Sequence, residues 1–190
     1  MKNNIKITNA TNADIEGVLT LQSKYLVTNL SAEEKKDGFV TTPFTIQQIE
    51  NIILEDGLFV AKDDDEMVAY VFAGSWGYFS QWPIFPLMTS RFGNLRFNDT
   101  VISTENSFQY GPICIDKKYR GSGLLLHIFE YMRLHLKARY PISVTFINKI
   151  NTRSFNAHVN KLKWIVVDTF DFNNNSFLML ALDMNVSVLD

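Results

Sequence analysis

Between Asp116 and Leu125 the chain reads Asp-Lys-Lys-Tyr-Arg-Gly-Ser-Gly-Leu-Leu, a glycine-bearing turn leading from an apolar strand into an amphipathic helix. Such a turn can hold an anion. N–H groups at the start of a helix have no partner within it, and the helix dipole places partial positive charge there. Gly121 and Gly123 let a ligand approach the backbone closely. Lys117, Lys118 and Arg120 add full positive charges. The chemistry implied is binding of a phosphate or pyrophosphate group. The stretch equally fits an ordinary strand-to-helix turn with solvated basic residues. It is not a Walker P-loop, because no Gly-Lys-Ser/Thr closes it, and it lacks the Gly-x-Gly-x-x-Gly of a dinucleotide fingerprint.

Other chemistries find less support. Cys114 is the only cysteine, which excludes an internal disulfide and a multi-cysteine zinc site, and its apolar strand predicts a buried, inert thiol. His127 and His135 stand two helical turns apart, too far for a paired ligand set, and there is no His-Glu-x-x-His; no metal is expected. The four carboxylates Asp63–Glu66 are read as a solvated hairpin turn, with cation binding as the alternative. No Gly-x-Ser-x-Gly nucleophile elbow is present. A net charge of −2 offers no basic face for nucleic acid. Met1–Ile5 carries no hydrophobic signal region, and no run approaches the ~18 apolar residues of a membrane span. The expectation is a cytoplasmic protein without membrane attachment.

The elements that must position the turn follow from hydrophobic periodicity. With 46% apolar residues in a chain of 190, one domain spanning residues 1–190 can bury a sizeable core. Ile5–Thr8 alternates as a half-buried strand, and Thr11-x-x-Asp14 opens a helix with Ile15, Val18, Leu19, Gln22, Tyr25 and Leu26 on one face. Residues 29–42 are polar and read as a loop or loosely helical link. Thr45-x-x-Gln48 is a second capping box, and Gly57 stops the helix it opens. Strands follow at Leu58–Ala61 and Met67–Gly74, then an irregular aromatic-rich insertion over residues 75–108, and a strand over Tyr110–Ile115. A helix of about Ser122 to Arg139, a strand at Ile142–Phe146, a short helix over Asn151–Leu162 and two final strands complete the chain. The order predicts an α/β fold: a mixed central sheet with helices on both faces.

Two motifs and this order together resemble the GNAT-type N-acetyltransferases. Arg120 and Gly123 match the first and fourth positions of the family's Arg/Gln-x-x-Gly-x-Gly/Ala signature, with Leu125 at the sixth. Asn151-Thr152-Arg153-Ser154-Phe155-Asn156-Ala157-His158 is similar to the family's Asn-x-x-Ala/Ser-x-x-x-Tyr helix, with His158 at the tyrosine position. Lys163-Trp164 stands where Gly-Phe is usual. The resemblance implies a mostly antiparallel GNAT-like sheet and an enzyme in which an amine directly attacks the thioester of acetyl-CoA. The acceptor would be a primary amine of a small molecule or peptide.

By that resemblance the backbone of Arg120, Gly121, Ser122, Gly123, Leu124 and Leu125 would take the pyrophosphate. Ile113, Cys114 and Ile115 would pair with the pantetheine arm, Ile113 or Cys114 supplying an N–H to the thioester oxygen, and Asn151 and Ser154 would complete the cofactor site. Gly111-Pro112 marks a candidate bulge, since proline cannot donate to a ladder. His158 is the candidate acid, cationic near neutral pH, or else a histidine packed on the inner face of its helix. Glu105 is the candidate base, or a solvated loop carboxylate, and Tyr110 the candidate orienting group. Trp76, Tyr78, Phe79 and Trp82 could wall an acceptor pocket, or pack the insertion, or join a homodimer contact. A non-catalytic acyl-CoA-binding or protein-interaction domain is the alternative to the enzyme.

Overall fold

The structure is a computed structural model that describes residues 4–189. Its elements in chain order are β1 (Ile5–Asn9), α1 (Ile15–Tyr25), α2 (Ala32–Lys35), α3 (Ile46–Leu54), β2 (Leu58–Asp63), β3 (Glu66–Gly74), α4 (Trp76–Phe79), α5 (Ile84–Thr89), β4 (Arg96–Phe97), β5 (Thr100–Val101), β6 (Ser107–Ile115), α6 (Leu124–Leu136), β7 (Ile142–Asn148), α7 (Thr152–Asn156), β8 (Ile165–Phe172) and β9 (Asn175–Asp183). Seven strands are hydrogen-bonded in the order β1-β2-β3-β6-β7-β9-β8, with β4-β5 a separate hairpin. The β6–β7 pair is parallel, and β1–β2, β2–β3, β7–β9 and β8–β9 are antiparallel. The mixed, mostly antiparallel sheet expected from the sequence is therefore present.

The described residues divide into two compact units, one of residues 4–73, 111–132 and 189, the other of residues 74–110 and 133–188. In the first unit β2 and β3 are buried along most of their length, as continuous apolar strands covered on both faces must be. Phe44, ahead of α3, stacks on Phe72 at 4.2 Å, while Tyr131 of α6 meets Phe59 edge-on at 6.1 Å. Phe59 pairs with Val71 and so points opposite to Phe72, which puts α3 and α6 on opposite faces. Gln22, a polar residue on the apolar stripe of α1, is buried because its amide pairs with the backbone of Phe44: Nε2 donates at 3.1 Å and Oε1 accepts at 2.8 Å. The Thr45/Gln48 capping box forms as expected. Gly57 ends α3 at a point where a Cβ would lie 2.2 Å from the Ala73 carbonyl.

In the second unit the insertion is more regular than its composition suggests, containing α4, α5 and the β4-β5 hairpin. It is anchored by ring contact of Phe85 with Phe146 of β7 at 5.6 Å and by a bidentate Arg91–Asp168 pair, with Nε and Nη2 donating at 2.5 and 3.1 Å. β6 starts at Ser107, earlier than expected, because Ser107–Gln109 pair with Ile142–Val144 of β7. That ladder ends just before Gly111-Pro112. Side chains then take over: Thr145 Oγ1 and Gln109 Nε2 both donate to the Tyr110 carbonyl, at 2.8 and 2.7 Å. Among the described residues no helix is long and apolar enough to cross a membrane.

Candidate functional site

In the first unit β6 ends with Ile113, Cys114 and Ile115, and its direction is handed to the turn by Asp116. Asp116 donates its N–H to the Val68 carbonyl, while its buried carboxylate accepts from Lys24 Nζ at 2.5 Å and from the Lys118 N–H at 2.9 Å. Burial alone would raise the carboxyl's pKa. The Lys24 ammonium and the Lys118 N–H outweigh that and hold it below the usual range. Cys114 is buried beside Tyr70, and burial pushes its thiol up to about 12, so it is the inert thiol expected.

The turn itself has the geometry of an anion cradle. Gly121 (φ +81°) and Gly123 (φ +89°) occupy the left-handed region that glycine adopts freely. A Cβ on Gly121 would meet nothing within 4 Å, and one on Gly123 only the His127 ring at 3.9 Å. The glycines thus serve backbone conformation rather than packing, and the space over the loop is open. Leu126 and His127 donate to the Gly123 carbonyl, whereas the N–H groups of Gly121, Gly123, Leu124 and Leu125 donate to no acceptor among the described residues. Four donors therefore cluster at the start of a thirteen-residue helix.

The basic side chains behave differently from expectation. The Arg120 guanidinium turns inward: Nε donates to the Ile115 carbonyl at 2.8 Å, Nη1 to the Asp37 carbonyl at 2.5 Å, and the group lies 4.7 Å over the Tyr25 ring. Lys117 pairs with the Asp37 carboxylate. The cradle's positive potential therefore rests chiefly on its backbone and on exposed Lys118. His127, an exposed residue not singled out from the sequence for this role, borders the cradle because it lies one helical turn after Gly123.

The second unit brings Tyr110 and His158 together with Trp164. The ring centroids are 5.5 Å apart for Tyr110–His158, 5.1 Å for Tyr110–Trp164 and 5.9 Å for His158–Trp164. All three side chains are buried. His158 Nδ1 lies 2.7 Å from the Ser154 carbonyl, an obligate acceptor, so the ring proton sits on Nδ1. Burial drags the His158 pKa down to about 4, with the Ser154 contact opposing it only partly. Of the two readings left open by the sequence, a cationic acid and a histidine packed on the inner face of its helix, this favours the second: near pH 7 the imidazole is neutral. Burial drives the Tyr110 phenol far above its usual range, so it stays protonated and cannot serve as a base.

Asn151 caps α7, its Oδ1 accepting from the Ser154 N–H at 3.2 Å. After α7 the chain makes a π-helical turn over Ala157–Lys161 and reaches Lys163 at φ +64°. Lys163 holds the left-handed conformation that glycine adopts freely, at a cost of roughly 1–2 kcal/mol. The departure in residue type leaves the backbone conformation that a glycine there would favour, and the next residue supplies the third ring of the cluster.

For two other groups of candidates the structure matches the second of the readings left open by the sequence, a solvated loop carboxylate and rings that pack the insertion. Glu105 lies exposed in a surface turn and accepts from Thr104 Oγ1 at 2.7 Å; this hydroxyl and that of Ser103 hold its carboxyl below the usual range. Three strand residues, about 10 Å, separate the start of β6 from Tyr110, so the structure does not gather Glu105 with the buried rings. Trp76, Tyr78 and Phe79 are buried rather than lining an open wall. Phe79 packs on Tyr78 at 4.9 Å and on Phe85 at 4.8 Å, Trp76 on Phe92 at 4.8 Å, and Trp76 Nε1 donates to Ser107 Oγ. The insertion has made these rings its own small core, and of the four only Trp82 keeps a partly open face.

No protein-family model and no curated protein sequence matches this chain. Solved structures do. An N-acetyltransferase from Staphylococcus aureus Mu50 aligns over 96% of this chain and 99% of its own, with TM-score 0.62 and 17% identity. A Salmonella typhimurium structure solved with its cofactor acetyl-CoA aligns over 96% and 95%, with TM-score 0.62 and 13% identity. The ribosomal-protein-S18-alanine N-acetyltransferase of Escherichia coli aligns over 95% and 94%, with TM-score 0.60 and 11% identity. At these identities the likeness is one of fold: the chain has the GNAT fold.

Proposed function

We propose that this chain, built on the GNAT fold, transfers an acetyl group from acetyl-CoA to a primary amine of a small molecule or peptide by direct attack. The observation that carries the reading is the set of four N–H donors at Gly121, Gly123, Leu124 and Leu125 that have no acceptor among the described residues, where the family signature falls. They suit a pyrophosphate, and the edge of β6 at Ile113–Ile115, in the same unit, suits the pantetheine arm. Acetyl-CoA would supply the acyl carbon and a thiolate leaving group. The ammonium first gives one proton to water; the neutral amine nitrogen then bonds to that carbon as the C–S bond breaks, and its second proton is taken up by the departing thiolate to give the amide and the CoA thiol. A fold neighbour in Escherichia coli acts on an alanine of a ribosomal protein, which is compatible with a peptide amine as acceptor.

Titrating purified protein with acetyl-CoA in a calorimeter tests the reading, with forms lacking the phosphates for comparison. Weaker binding of the stripped forms is the expected result; no binding at millimolar acetyl-CoA would overturn it.

None of the three side chains considered for proton transfer suits the task of base. Burial lowers the His158 pKa to about 4, which makes its unprotonated Nε2 a weak base, Tyr110 stays protonated, and Glu105 is a surface carboxylate. The acceptor amine would then lose its proton to water, and turnover would rise with pH through the acceptor's own pKa. Glu105→Gln is accordingly expected to leave both kcat/KM and its pH profile unchanged. A profile that flattens or shifts in the variant would restore Glu105 as the base. The same burial of His158 and Tyr110 favours, as a second reading, a domain that binds acyl-CoA without turnover. Cofactor binding with no product from a panel of amines would select it.

A further inference from the structure

We infer that Tyr25, the last residue of α1, is a positioning residue for the phosphate cradle, an inference that rests on the acetyl-CoA reading above. The cradle is short and glycine-bearing, so its own sequence does not fix its shape. Its shape is fixed from outside, and α1 supplies much of the fixing. The Tyr25 hydroxyl accepts the Lys117 N–H at 2.7 Å, at the first residue of the turn. The face of the Tyr25 ring lies under the Arg120 guanidinium at 4.7 Å, immediately before the first glycine. Arg120 is held at the same time by the carbonyls of Ile115 and Asp37. Lys24, the preceding residue of α1, holds the Asp116 carboxylate at 2.5 Å. Two successive residues of one helix end therefore grip positions 116, 117 and 120.

Tyr25 is buried and near to no cradle glycine in sequence, so its reach is structural. Its hydroxyl is the acceptor for Lys117, and its ring is the surface against which Arg120 turns inward. With Arg120 so held, the chain leaves the turn in extended conformation at Arg120 (φ −69°, ψ +138°) and enters Gly121 at φ +81°. Those two conformations leave the N–H groups of Gly121 and Gly123 without an acceptor among the described residues. Tyr25 thus contributes to anion binding without touching the anion.

The test compares CoA with pantetheine, which lacks the pyrophosphate, in the wild type, in Tyr25→Phe and in Tyr25→Leu. CoA affinity is measured by calorimetry, and pantetheine by displacement against CoA at millimolar concentration. Tyr25→Phe keeps the ring under Arg120 and removes only the acceptor; Tyr25→Leu removes both. CoA affinity is expected to fall up to about tenfold in the first variant, the factor carried by loss of one hydrogen bond, and further in the second. Pantetheine affinity should stay unchanged in both. A structural role alone would lower both affinities together, or lower the melting temperature with neither affected, and either result overturns the inference. A wild type that binds CoA no better than pantetheine would instead overturn the acetyl-CoA reading itself.

Discussion

Gly123→Glu is expected to lower acetyl-CoA affinity by on the order of 100-fold or more, equivalent to about 2.7 kcal/mol of binding free energy, while leaving the protein folded. Two effects act together. Gly123 sits at φ +89°, where a residue with a Cβ is strained by roughly 1–2 kcal/mol, so the new side chain pulls the loop away from its present shape. The carboxylate also stands among the N–H groups of Gly121, Leu124 and Leu125 and competes for them as an internal anion. Steric exclusion from the fold is not part of the effect, because a Cβ there approaches only the exposed His127 ring, at ordinary contact distance. Gly123→Ala separates the contributions: it carries the strain without the charge and should weaken binding far less. Calorimetry with acetyl-CoA and urea unfolding of the three proteins would decide. Undiminished affinity in Gly123→Glu would remove the cradle from the site.

The cradle was legible in the sequence because its determinants are local: two glycines at fixed spacing, a strand before them and an amphipathic helix after. What holds the cradle was not legible, because it is distant in the chain. Arg120 looks like an anion ligand until Asp37 and Tyr25 are seen beside it, and Lys117 shows the same masking by the Asp37 carboxylate. A charge count along a sequence records charges, not their partners. Outside the insertion, the succession of strands and helices along the chain was legible from hydrophobic periodicity, the order of strands within the sheet was not, and the capping box at Thr45 set the start of α3 to the residue. The insertion was recognisable as structured from its aromatic density. That Trp76, Tyr78 and Phe79 would bury one another was not, since the same rings could wall a cavity or fill one. Lys163 illustrates a third limit. A motif that expects glycine records a backbone conformation, and this chain reaches φ +64° with lysine instead.

His158 should make the protein acid-labile in a pH window of its own. Its pKa in the folded protein is about 4, against an ordinary value of 6.5, because burial disfavours the imidazolium. Between these values the unfolded chain binds more protons than the folded one, so stability falls as the pH is lowered. The contribution is fully present above pH 6.5 and is lost as pH falls toward 4. The loss amounts to about 3 kcal/mol, since each pH interval of one between the two values is worth ~1.4 kcal/mol. Asp116 and Asp168 are shifted down as well, but because their charged forms are stabilised by Lys24 and Arg91: each carboxyl is held below its ordinary value of 3.8, so their contributions are lost only at still lower pH. The two groups therefore separate along the pH axis. Urea unfolding at pH 7.5 and pH 4.5, in the wild type and in His158→Phe, isolates the histidine. The variant forfeits the hydrogen bond to the Ser154 carbonyl at both pH values but should lose much less stability between them. An equal loss in the two proteins would mean that another group titrates there. Turnover of the variant at pH 7.5 tests the chemical role. A buried neutral imidazole acting only as packing beside Tyr110 and Trp164 leaves kcat near the wild-type value when the protein is folded. A large fall in kcat with acetyl-CoA affinity retained would show that Nε2 reaches the reacting groups, and that His158 takes part in proton transfer without ever being the resting cation that its position in the motif suggests.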